Sequence, residues 1–160
     1  MKKIISVLPL VTALTFHTAH AEQVNTELQQ LQQALALNPD DGDLLKKTGM
    51  ALYQAGKYAE AEPLLKKSLA QREQKFGQEH PNYATALNDL GILYLEQGRY
   101  AEAEPLFEKS LPIYEKALGK EHALVAININ NLKTLWRAFY QHYCKVFSRC
   151  MKVSVIFNWW

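Results

Sequence analysis

The sequence predicts an all-α chain, a solenoid of antiparallel helical hairpins, on three observations. A long segment occurs twice: YAEAEPLLKKSLAQREQKFGQEHP from Tyr58 and YAEAEPLFEKSLPIYEKALGKEHA from Tyr100. Self-similarity at such a period is the signature of a helical repeat array. Apolar residues inside each copy recur at three- and four-residue spacing, the period of a buried helix face. Glycine and proline fall between these stripes, where helices end and begin. The 160 residues, 48% hydrophobic and 21% charged, suit one small globular domain with a modest core.

The first segment reads as an address and not as fold. Lys2 and Lys3 precede a largely apolar run, Ile4 to Phe16, and Ala19-His20-Ala21 supplies small residues at a peptidase site. Residues 1–21 are therefore expected to be a secretory signal peptide, with Glu22 first in the mature chain. The run is shorter than the roughly 20 residues that span a bilayer. No cysteine follows it for lipid attachment. Export places the chain in an oxidising compartment, most simply a Gram-negative periplasm.

Residues 22–132 form the predicted repeat domain. LQQALALNPDD, from Leu31, reads as the closing half of a repeat over residues 24–39, with Ala34-Leu35 and Pro39 as its markers. The step from Ala34 to Ser68 is shorter than the step from Ser68 to Ser110. One full repeat is expected at 42–76, with helices near 42–55 and 58–76. A second is expected at 83–118, with helices near 83–97 and 100–118. Leu87, Leu90, Tyr94 and Leu95 give the first helix of that repeat its stripe. Gly98 ends it, since glycine accepts the left-handed conformation after a helix. Ala101, Ala103, Leu106, Phe107, Leu111, Ile113 and Tyr114 supply the apolar positions of the second helix. Gly91 and Ala103 are small where paired helices approach closely. Pro63 and Pro105 lie just past a first turn, where few hydrogen bonds are lost. Pro112 lies deeper and should bend its helix near Glu108. Pro39 and Pro81 are read as loop residues. A further repeat starts at 123–132, where Ile129-Asn-Asn-Leu132 repeats Leu87-Asn-Asp-Leu90.

Beyond Leu132 the register fails. Lys133 replaces the small residue of the tight contact. Trp136 still lands on an aromatic position, but Tyr140 stands where a glycine is due. Residues 133–160 are expected to be a degenerate or irregular tail, poorly ordered or sticky from about residue 141. The charge supports a boundary: 11 Lys/Arg against 16 Asp/Glu over residues 22–132, net −5, then five bases and no acid over 133–160. A solenoid end normally presents a polar face, and this tail is aromatic and basic. Three readings stand: the degenerate end of a longer array, an irregular cap or dimer contact, or a membrane-surface contact. Cys144 and Cys150 sit in it, and in an oxidising compartment they could form a disulfide with each other, pair with other thiols or remain free.

The repeated Leu90-Gly91, Tyr94, Gly98, Tyr100, Ala103, Phe107 and Ser110-Leu111 resemble the tetratricopeptide repeat. The preceding unit matches through Gly49, Gly56, Tyr58, Ala61, Leu65 and Ser68-Leu69. The longer period from Ser68 to Ser110, the G-x-E-H loop and the asparagine pair before Leu132 are similar to the kinesin-light-chain type. The resemblance implies a right-handed superhelix whose first helices line a concave groove. It places Lys46, Met50, Tyr53 and Gln54, then Asn88, Ile92, Leu95 and Glu96, then Asn130 on that groove. Similar asparagines in such repeats pair with the backbone of an extended peptide, so Asn88 and Asn130 are expected to stack along it. Met50, Ile92 and Leu95 would hold apolar side chains of the ligand.

No enzyme chemistry is expected. The sequence carries no Gly-rich phosphate loop, G-x-S-x-G or H-E-x-x-H motif. His80 and His122 occupy equivalent loops, one in each copy of the repeated segment. They are read as helix-capping residues, since repeat-equivalent side chains stand too far apart to share a metal. Glu60, Glu62, Glu102 and Glu104 lie in first turns, where negative charge meets the positive helix end. Ser68 and Ser110 are small packing residues. No cofactor is implied, and export argues against a nucleic-acid partner. The expected function is a non-catalytic module binding an extended segment of a partner protein. The alternative is a truncated, non-functional remnant of a longer repeat protein. The oligomeric state stays open.

Overall fold

A computed structural model describes residues 25–146, with side chains through residue 141. The signal-peptide reading of residues 1–21, residues 147–160, and the Cys144–Cys150 pairing lie outside the described residues. The described chain contains α-helix and no strand. It divides into two units, which meet at residues 77 and 78.

The first unit holds α1 (25–37), α2 (Gly42–Gln54) and α3 (Tyr58–Phe76). The Asp41 carboxylate starts α2 by accepting the backbone N–H groups of Asp43 and Leu44 at 2.8 and 3.0 Å. These donors, Leu44 first, hold the Asp41 carboxyl below the usual carboxylate range. Helix α2 ends at Gly56, whose φ of 73° suits glycine, while Lys57 N–H returns to the Leu52 carbonyl. The chain then turns back as α3, and the two helices pack along Leu45, Leu52, Ala61 and Leu65, all buried. Gly49 makes this approach possible: a Cβ there would lie 2.8 Å from Leu65 Cδ2. Ser68, read as a packing residue, also donates to the Gly42 carbonyl at 2.9 Å.

The second unit holds α4 (Pro81–Glu96), α5 (Tyr100–Leu118) and α6 (Ala123–Val146). It repeats the same construction. Gly98 takes φ 72°, and Gly91 lies against the ring of Phe107. Helix α6 packs on α5 and also touches α4. Val125, Asn128, Leu132 and Leu135 form its buried side. Tyr114 is fully enclosed, and its hydroxyl reaches Thr85 at 3.1 Å.

Two expectations need correction. Pro81 is the first residue of α4, because a proline lacks the N–H that the first turn leaves unbonded. Residues 133–146 are helical, not irregular: α6 has no glycine where Gly98 ends α4, so nothing stops it at that position. Its apolar residues also find partners, since the Phe139 ring meets Tyr100 edge-on at 6.4 Å.

The histidine reading is met by geometry. Nδ1 of His80 accepts the Asn82 N–H at 3.1 Å, and Nδ1 of His122 accepts the Leu124 N–H at 3.2 Å. His80→Ala or His122→Ala is expected to cost about 1 kcal/mol, the worth of a typical N-cap bond. Serine or aspartate at either position should restore most of it. Thermal melts of alanine and serine variants check this, and equal losses for both would exclude capping as the role.

Candidate functional site

The stripe assigned from the sequence falls on one helix in the first unit and on two in the second. On α2, Lys46, Met50 and Tyr53 are half-buried and Gln54 is exposed. Tyr53 leans on the ring of Tyr58 at 5.8 Å, so part of it is held by the hairpin. Lys46, Met50 and Gln54 line a groove of about 620 Å³ together with Lys47 and Ala51. Its other wall is α1, through Glu27, Gln30, Leu31 and Ala34. The groove is therefore apolar at its floor, with charges of both signs at its edges.

On α4, Ile92 and Leu95 are half-buried and Glu96 is exposed. Asn88 is buried at 9% exposure, and Asn130 on α6 is exposed. The Asn131 side-chain amide donates to Asn88 Oδ1 at 3.0 Å. The two helices are offset so that the next residue, not the repeat-equivalent one, meets Asn88. Asn131 is thus a site residue that the repeat alignment alone passed over. With its oxygen engaged, the Asn88 amide has N–H donors to offer, which suit a backbone carbonyl.

A second amide is more deeply set. Asn128 is fully buried, and its amide nitrogen donates to Ser110 Oγ, which itself donates to the Phe107 carbonyl. Asn128 Oδ1 is buried with no hydrogen-bond partner. The sequence signal was available, because Asn128, Asn130 and Asn131 interrupt the otherwise apolar run from Ala123 to Leu132.

The remaining candidates belong to the scaffold. Arg99 grips Glu102 with two bonds of 2.7 and 2.6 Å and lies over the Tyr94 ring at 4.1 Å. Glu104 accepts from Trp136 Nε1 at 3.0 Å. Glu62 pairs with Lys66 at 2.7 Å, and Lys57 stands 3.9 Å from Glu60. First-turn acids therefore have side-chain partners as well as a helix end. The Lys116 ammonium, bonded to Glu79 at 2.7 Å, holds the Glu79 carboxyl below its ordinary range. Among the described residues, no three His, Cys, Asp or Glu side chains could hold a metal together. No described helix is long and apolar enough to cross a membrane.

Comparison with known proteins agrees with this geometry. A tetratricopeptide-repeat family profile matches residues 43–116. The chain is similar to the crystal structure of kinesin-light-chain repeats from Podosopora anserina, described as nearly identical TPR-like repeats. The TM-score is 0.69 at 19% identity, over 96% of this chain and 80% of that one. A single-substitution variant of the same repeats gives TM-score 0.69 at 19% identity, over 95% of this chain and 80% of that one. No curated protein matches the chain.

Proposed function

We propose that this chain, which matches a tetratricopeptide-repeat family profile over residues 43–116, is a non-catalytic module for binding other proteins. The proposed ligand is an extended segment of a partner. The observation that carries this reading is the α4 stripe. Ile92 and Leu95 present partly exposed apolar surface beside the Asn88 amide, which Asn131 orients. Apolar pockets for alternate side chains, with an amide for the main chain, form a recurring mode of peptide capture. Asn130 and Glu96 flank it as exposed polar residues. A photo-reactive residue placed at Leu95 is expected to cross-link one partner from a cell extract. The same residue at Lys66, on the exposed side of α3, should not. Glu96→Arg with Asn130→Arg should lower the yield severalfold while the helical spectrum is unchanged. Equal cross-linking from both positions would remove the stripe as the site.

We also propose that the module acts after export, in an envelope compartment. The basic start, apolar run and Ala19-His20-Ala21 site support it. Mass spectrometry of the chain expressed in a Gram-negative host should find an N-terminus at Glu22 in the periplasmic fraction. An intact chain starting at Met1 in the cytoplasm would overturn it.

A further inference from the structure

In this repeat, an opening helix turns back into a closing helix, and α2–α3 and α4–α5 are such pairs. Helix α1 aligns with the closing helix α3, placing Glu27, Leu31 and Ala34 at the positions of Ala61, Leu65 and Ser68. Helix α6 aligns with the opening helix α4, placing Leu132, Lys133 and Trp136 at the positions of Leu90, Gly91 and Tyr94. Among the described residues, α1 therefore lacks its opening helix and α6 its closing one.

Burial marks both faces as unfilled. In α3, Ala61 and Leu65 are buried against α2, at 0% and 2% exposure. Their counterparts on α1, Glu27 and Leu31, are exposed and half-buried, and both line the α1–α2 groove. On α4, Gly91 and Tyr94 are buried. Their counterparts on α6, Lys133 and Trp136, are exposed. Unit two shows what an opening helix touches: α4 packs on its closing helix α5 and on the next opening helix α6. The walls of the groove are one closing helix, α1, and one opening helix, α2. Its lining is that of a seat for an opening helix.

We infer that copies of this chain associate head to tail, with α6 of one copy seated in the α1–α2 groove of the next. Charge complementarity points to a second copy as the occupant. Within the chain, each hairpin has a small residue on both helices near its crossing: Gly49 lies against Leu65 and the Ala61 carbonyl, and Gly91 lies against Phe107, one turn along α5 from the buried Ala103. Between copies, the same two positions carry Lys133 and Glu27. Both depart from the small residue, and they do so with opposite charge. A second polar match follows from the register. Within unit two, Asn131 of the later opening helix meets Asn88 of the earlier one. Carried to the seated helix, that contact sets Asn130 beside Lys47, an amide oxygen facing an ammonium donor. Trp136 would then lie along α1, its apolar face removed from water. Such a contact uses different surfaces on the two copies, so it propagates into a ring or an open chain.

This inference goes beyond the peptide-binding reading and does not rest on it. Glu27 and Lys133 lie off the proposed ligand stripe, so partner cross-linking at Leu95 should survive changes at either. The test is sedimentation of the purified chain across a concentration series, with Glu27→Lys and Lys133→Glu as the variants. The wild-type mass should rise with concentration. Each single reversal should weaken association by about tenfold or more, since like charges then meet at the contact. Mixing the two variants should restore it, because Lys at position 27 of one then meets Glu at position 133 of the other. A folding defect would not be repaired by mixing. A wild-type chain monomeric at every concentration overturns the proposal. Association indifferent to both reversals, or not restored by mixing, overturns it in favour of contacts through residues 147–160.

Discussion

Phe107→Ala is expected to destabilise the second unit by about 3–5 kcal/mol, the usual cost of emptying a phenylalanine site in a core. The ring is fully buried and is the surface on which Gly91 rests. A Cβ on Gly91 would lie 2.7 Å from Phe107 Cε1 and 2.9 Å from Cζ, closer than real atoms sit. Gly91→Ala should therefore cost about 1–3 kcal/mol by overpacking, although alanine is the better helix former. The two positions share one space, so their effects should not add. Gly91→Ala combined with Phe107→Leu should be more stable than the sum of the single losses predicts. Gly49→Ala is the internal comparison. Its obstacle is the end of the flexible Leu65 side chain, so it should cost less than Gly91→Ala. Hydrogen exchange of α4 and α5 amides, together with thermal melts, reads all of these variants. Additive losses would mean that the ring and the glycine do not share a contact.

Loss of the Arg72–Asp43 pair should be the second-largest effect. Arg72 lies in α3 with its side chain 9% exposed, and Nη2 bonds Asp43 Oδ1 in α2 at 2.8 Å. The carboxylate is 82% exposed, so water already screens it and the pair itself adds little. The cost lies in the guanidinium. Asp43→Ala removes one hydrogen-bonded partner from that buried charge, for about 1–3 kcal/mol. Arg72→Met keeps most of the volume and removes the charge, so it should cost less than Asp43→Ala. Arg72→Ala forfeits the packing of the long stem and should cost the most of the three. Denaturant unfolding of the three variants gives the order. If Asp43→Ala proves neutral, the bond to Asp43 adds nothing to stability.

The helices themselves are legible because each is signalled locally. The periodic apolar stripe, the caps at Asp41, His80 and His122, and the turns at Gly56 and Gly98 are written in neighbouring residues. They place four helices, α2 to α5, within two residues of their observed ends. The tail misleads for the same reason. Its lost glycine and its basic, aromatic composition read as irregular, whereas a missing stop signal lets a helix run on to Val146. The candidate stripe is legible only as a face. That Asn88 is buried and bonded to Asn131, and that Asn130 is exposed, depends on how α4 and α6 slide past one another. A one-residue difference there cannot be seen from a repeat alignment, which pairs Asn88 with Asn130.

By itself the sequence determined the fold class, the repeat register, the hairpin turns and the small residues at each crossing. These follow from local backbone preference and from the recurrence of one long segment, first from Tyr58 and again from Tyr100. Only the tertiary structure decided which polar groups are buried and what they meet. Arg72 with Asp43, Asn128 with Ser110, Tyr114 with Thr85, and the groove between α1 and α2 all join residues distant in the chain. The physical reason is that burial is a property of the packed helices. A polar side chain keeps its hydration or exchanges it for a protein partner according to what packing brings within hydrogen-bond reach, and sequence spacing does not specify that distance.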